Sequence, residues 1–94
     1  MQKPFHAIDA TSSGFQRSLR NFAERALAEA AILDLLKDPI PGRLDFKKLK
    51  GYKRPNIFTI TIAGNHAFKI SMEISDGVAI LRRVGTHRQI DDNP

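Results

Sequence analysis

The sequence contains no cysteine, so disulfides and thiolate metal sites are excluded and nothing about redox environment can be read from it. It has no apolar run near the ~18 residues a membrane span needs. Its opening, Met1-Gln-Lys-Pro-Phe-His6, lacks the apolar stretch of a signal peptide. Internal repeats, low-complexity tracts and linkers are also missing. These absences lead to the expectation of a soluble, cytoplasmic chain with no membrane partner. One further absence is local: no acidic side chain occurs between Phe46 and Met72. Residues 43–88 carry ten Lys/Arg against three Asp/Glu, whereas residues 1–42 carry five of each. The net charge of +5 is therefore concentrated in the second half, where it surrounds His87. A localised positive field beside an imidazole suits a phosphate-bearing polymer or an anionic partner protein.

Ninety-four residues, 41% of them apolar, suffice for one domain, 1–94, with a single modest core. Residues 5–10 read as a short edge strand running into a helix start, and Ser13 with Gln16 has the form of a capping box. Phe15, Leu19, Phe22 and Ala26, then Ala30, Leu33 and Leu36, recur at helical spacing and are expected to face the core. One straight helix to Lys37 would span ~36 Å, too long for a domain this small, so a break near residues 21–24 is expected. Asp38-Pro-Ile-Pro-Gly42 stops the helical region, since neither proline continues it.

The remainder reads as sheet. Phe58, Ile60 and Ile62 alternate with Thr59 and Thr61; Phe68, Ile70 and Met72 alternate with Lys69, Ser71 and Glu73; Asp76-Gly77 signals a hairpin into 78–84. The fold class expected is α+β: an N-terminal strand, one or two helices, then a three-strand antiparallel sheet with the helices on one face. Alternation then puts Lys69 on the uncovered face with Thr59, Thr61, Ser71 and Glu73, bordered by the basic segment 47–54.

On that face Lys69, Arg82 or Arg83, and His87 are expected to converge. Such parts suit RNA cleavage by its own 2′-hydroxyl, which needs a base for the hydroxyl, cations for the phosphate and an acid for the 5′-oxygen, and neither metal nor cofactor. Histidine changes charge in the physiological range and serves as acid or base. Tyr52 offers a stacking surface for a base, and Lys48, Lys50, Lys53, Arg54, Arg82 and Arg88 are candidate RNA contacts. His66, beside Gly64-Asn65, reads as a hairpin-end surface residue and His6 as a strand residue; the three histidines show no metal-site spacing. Ser12, Ser13 and Ser71 have no base at a recognisable spacing, which sets serine catalysis aside.

Leu44-Asp-Phe-Lys-Lys-Leu-Lys-Gly51, then Phe68-Lys-Ile70, then Val84-Gly-Thr-His87 resemble, in order and spacing over roughly residues 15–90, the RelE/ParE superfamily of toxin–antitoxin toxins. The resemblance implies a RelE/ParE-like fold and a small toxin neutralised by a cognate antitoxin. It acts either as a ribosome-dependent mRNA endonuclease or as a DNA gyrase inhibitor; an inactive member retained for antitoxin binding is the third possibility. It further implies His87 as the proton-transfer residue, Lys69 and Arg83 (or Arg82) as phosphate and transition-state ligands, and Lys48, Lys50 and Lys53 as backbone contacts on mRNA or the ribosome. Two positions depart from the family pattern. Asp91 stands where an aromatic often follows the histidine by four residues, and Phe68 replaces the common tyrosine.

Overall fold

The structure, a computed structural model, describes residues 3–49, 56–62 and 68–94. Five strands form one sheet in the order β1-β5-β4-β3-β2, with β1 at Ala7–Asp9, β2 at Lys47–Lys48, β3 at Ile57–Thr61, β4 at Phe68–Ser75 and β5 at Val78–Thr86. Helices α1 (Ser13–Arg20) and α2 (Arg25–Leu35) lie between β1 and β2 in sequence, and a third helix, α3 (His87–Asp92), follows β5 directly. The three expected antiparallel strands are β3, β4 and β5; β2 extends them on one edge, and β1 joins the other edge parallel to β5, so the sheet is mixed. The architecture is α+β.

The β4–β5 hairpin is closed by Asp76 and Gly77, both with positive φ (51° and 77°), the backbone that a two-residue turn of matching twist demands. Gly77 is needed twice over. Its φ disfavours a side chain, and a Cβ there would come within 2.6 Å of the His6 ring. His6 donates its backbone N–H to the Gly77 carbonyl at 2.7 Å, which leads the chain into β1.

β1 pairs only with Val78–Ile80, so the later part of β5 would present bare edge groups. Helix α1 supplies their partners. Ser12 Oγ donates to the Leu81 carbonyl at 2.6 Å and accepts from Phe15 N–H at 3.2 Å, capping the helix. Ser18 Oγ accepts the Val84 N–H at 3.0 Å. The cap is thus Ser12 rather than Ser13, and Gln16 reaches the Ala10 carbonyl instead of closing a box.

The helical region breaks where its length required, between Arg20 and Arg25. On α1, Phe15 and Leu19 are buried as expected, and half-buried Phe22 meets Phe68 edge-on at 4.9 Å. On α2 the expected face is wrong. Ala28, Ala31 and Leu35 pack into the core with Leu27 and Ile32 beside them, while Ala26, Ala30, Leu33 and Leu36 face outward. Leu33 and Leu36 are 65% and 54% exposed. The core against α1 and α2 comprises Phe15, Leu19, Leu35, Leu44, Ile60, Ile62, Ile70, Met72, Leu81 and Val84.

The opposite face of the sheet is not open, which overturns the expectation that it was. Thr59, Thr61, Lys69 and Ser71 are all at most 5% exposed, and Ile57 and Ile90, both 1% exposed, are buried apart from the main core. Strand alternation sorted the side chains between faces correctly, but it says nothing about which faces are covered. Here α3 packs back on β4 and β5 on the second face.

Candidate functional site

Helix α3 is six residues long, too short to persist alone in water. Three devices hold it. Thr86 is the N-cap: its Oγ1 accepts the Gln89 N–H at 3.1 Å, and Gln89 Oε1 accepts the Thr86 N–H at 2.9 Å, a complete capping box. Gly85 makes room for it, since a Cβ there would sit 2.7 Å from Gln89 Oε1. Ile90 is buried beneath the helix. The third device is Asp91, which points back at β4.

Lys69 lies mid-sheet, opposite Thr61 and Gly85, with its side chain 4% exposed. Asp91 Oδ1 accepts from its Nζ at 3.2 Å, and Oδ2 of the same carboxylate lies 2.8 Å from His87 Nδ1, one helical turn back. One carboxylate therefore joins the ammonium of β4 to the imidazole that begins α3. A carboxylate at this distance favours the imidazole form protonated at Nδ1, which leaves Nε2 as the nitrogen for proton exchange. The imidazole is 54% exposed, so Nε2 is within reach of a bound polymer.

The other expected residues are distributed unevenly. Ser71 faces Arg83 but Met72 faces Leu81, so β5 carries an extra residue, Arg82, at this point. Arg82 is committed to neighbours: its Nε donates to the Pro94 backbone oxygen at 3.3 Å and Nη1 lies 3.6 Å from Glu73. Arg83 is exposed and shares the Lys69 face, two residues from Gly85, or ~7 Å along the strand. It also lines a groove of about 570 Å³ between α1 and α3, with Arg17, Asn21 and Gln89 among its walls. Arg88 is 93% exposed, and its nearest carboxylate, Asp92, is 3.8 Å away.

Lys48 is exposed on β2, three strands from β5, which at ~4.8 Å per strand sets it ~14 Å from the His87 strand. It also pairs with Phe58, on the other side of the sheet from Thr59. The structure joins Lys69 and His87 through Asp91, places Arg83 by register on the same sheet face as Lys69, and leaves Lys48 apart. Lys50, Tyr52, Lys53, Arg54 and His66 lie outside the described residues.

Two corrections follow for the expected site. Lys69 does not project from an open face: it is buried and its charge is met by Asp91. Asp91 is also not merely the place of a missing aromatic. Thr86-x-x-Gln89 and the four-residue step from His87 to Asp91 were the legible signals of this helix and its ion pair. Among the described residues, no three His, Asp or Glu side chains cluster as metal ligands would, and no helix is long and apolar enough to cross a membrane.

A five-strand mixed sheet with two helices on one face and a short helix after the last strand is the fold of RelE-like toxins, and solved structures carry that likeness over nearly the whole chain. The RelB–RelE antitoxin–toxin complex from Methanococcus jannaschii is matched at TM-score 0.64 and 24% identity, covering 88% of this chain and 96% of that one. The DinJ–YafQ toxin–antitoxin complex from E. coli is matched at 0.66 and 14%, covering 96% and 98%. A copper-bound mutant toxin from Helicobacter pylori is matched at 0.61 and 23%, covering 96% and 99%. No protein-family model and no curated protein matches the chain.

Proposed function

We propose that the protein is a toxin of a toxin–antitoxin pair that cleaves mRNA on the ribosome. The observation that carries the reading is a solvent-exposed His87 whose Nδ1 lies 2.8 Å from Asp91, at the start of the helix that follows the arginine-bearing strand β5, on the fold that RelE and YafQ share. In the reaction, His87 Nε2 exchanges the proton, and Arg83 and Arg88 are the exposed cations for the phosphate and the RNA backbone. Lys69 acts on the phosphate only through Asp91, since its ammonium is buried behind that carboxylate. The positive excess of residues 43–88, including Lys48, Lys50, Lys53 and Arg54, supplies backbone contact, and Tyr52 supplies base stacking.

The cognate partner is an antitoxin. RelE and YafQ are found with RelB and DinJ, and the outward apolar side of α2, Ala26, Ala30, Leu33 and Leu36, is a surface that an amphipathic antitoxin segment would cover.

A second reading is a non-enzymatic inhibitor of DNA gyrase on the same fold. The sequestered Lys69 and the acidic residue in place of a stacking aromatic favour it. Mapping of cellular mRNA ends after induced expression, beside a gyrase supercoiling assay, separates the two. New mRNA ends with normal supercoiling support cleavage; inhibited supercoiling with intact mRNA supports the gyrase reading.

A further inference from the structure

We propose that Asp91 is a positioning residue for the RNA-cleavage reaction, fixing the tautomer and direction of the His87 imidazole while Lys69 fixes Asp91. The inference rests on the cleavage reading and specifies how its site is built. Three observations support it. The carboxylate is bidentate in function, one oxygen 2.8 Å from His87 Nδ1 and the other 3.2 Å from Lys69 Nζ. Lys69 is buried, 3% exposed, near the start of β4, a strand paired on both sides. Helix α3, which carries both His87 and Asp91, is anchored by the Thr86–Gln89 box and by Ile90. The chain of restraint runs from sheet to ammonium to carboxylate to imidazole, and each member is positioned by a less mobile one.

The chemical consequence lies at Nε2. A neutral histidine has two tautomers, and only the one protonated at Nδ1 leaves a lone pair at Nε2. With Asp91 accepting from Nδ1–H, that tautomer is selected before RNA arrives. The 2′-hydroxyl proton then passes to Nε2 as the bond from the 2′-oxygen to phosphorus forms and the bond to the 5′-oxygen breaks. Solvent water protonates the departing 5′-oxygen, and the resulting hydroxide takes the proton from Nε2. The products are a 2′,3′-cyclic phosphate and a 5′-hydroxyl. Orientation of this kind lowers the barrier without adding a contact to the substrate, so its loss falls on kcat rather than KM.

The test is cleavage of mRNA on purified ribosomes by wild-type protein and by Asp91→Asn, Asp91→Glu and Glu29→Gln. Asp91→Asn is expected to lower kcat with KM nearly unchanged, by less than the roughly 10⁴-fold of a fully buried aspartate because Asp91 is 34% exposed, since an amide can turn its NH₂ toward Nδ1 and select the wrong tautomer. Asp91→Glu, which keeps a carboxylate on the same helix face, is expected to recover much of that loss. Glu29→Gln, exposed on α2 and outside the network, is expected to match the wild type. Imidazole nitrogen NMR provides a readout that simple destabilisation would not move: His87 of the wild type shows the Nδ1–H form, and Asp91→Asn shows a mixture. Asp91→Asn cleaving at the wild-type rate beside an active wild type overturns the role of Asp91 and leaves the cleavage reading standing. A wild type that cleaves no mRNA on ribosomes overturns that reading and the role of Asp91 with it.

Discussion

Removing Asp91 should destabilise the protein more than removing Lys69, and removing both should recover most of the loss. At 3.2 Å, with an effective dielectric of about 20, the gross attraction between the two charges is roughly 5 kcal/mol. Desolvation of the ammonium offsets much of this. Breaking a fully buried pair by deleting one partner typically costs about 3–5 kcal/mol, because the other charge is stranded. Asp91 is 34% exposed, so water reaches its side of the pair and the expected cost of Asp91→Ala falls to roughly 2–3 kcal/mol. For a domain of this size each kcal/mol moves the melting temperature by about 4–8 °C, so a fall of roughly 8–24 °C is expected. Lys69→Met removes the charge that needed a partner, keeps the stem that packs in the sheet, and should change stability by only about 1 kcal/mol. Thermal melts of the two single variants and the double variant complete a cycle with an expected coupling of roughly 1–3 kcal/mol. Equal melting temperatures for Asp91→Ala and wild type, or no recovery on adding Lys69→Met, would refute a buried ammonium held by Asp91.

Other substitutions probe other links in the structure. Gly77→Ala forces a side chain into positive φ and against the His6 ring, and should cost roughly 1–2 kcal/mol in chemical denaturation; unchanged stability would contradict the turn geometry. Hydrogen bonds from Lys37 and then Arg43 hold the Asp34 carboxyl below the ordinary aspartate value of 3.8. Its contribution to stability is therefore present above that value and lost as pH falls through the lower folded one. Asp34→Asn should lower stability at neutral pH and flatten the acid limb below about pH 4, with the two proteins converging at the acid end; parallel curves would argue against the pairing. Leu33→Glu with Leu36→Glu should leave the melting temperature within a few degrees, since both side chains already face solvent, while weakening capture of the antitoxin measured by calorimetry.

How legible the molecule was depends on which signals were unique. Strand alternation in β3 and β4 and the Asp76-Gly77 turn each had one sensible reading, and the hairpin formed as read. Helix α2 did not offer such a choice. Ala26, Ala30, Leu33 and Leu36 form one apolar stripe and Ala28, Ala31 and Leu35 another, so apolar spacing alone could not tell which faced inward. The break near Asn21 followed from length alone. The burial of Lys69 was hidden for a different reason: a period of two assigns it a face, but the cover on that face comes from α3, eighteen residues further along the chain. That helix was concealed because the strand pattern stops at residue 84 and no apolar period marks an element in the few residues after it. Its Thr86–Gln89 box and its His87–Asp91 step only acquire meaning once a helix is placed there. His87 was legible as a chemical group; its partner Asp91 was marked only by a four-residue step that has meaning on a helix.

The central claim is that His87 transfers the proton that drives RNA cleavage, and its most direct test is the single-turnover cleavage rate of ribosome-bound mRNA by His87→Ala. The side chain is exposed, so the variant should fold and melt like the wild type. Loss of a general acid–base group lowers rates by about 10²–10⁴-fold, which would abolish detectable cleavage and growth arrest together. His87→Ala cleaving mRNA at the wild-type rate would contradict the account at its centre.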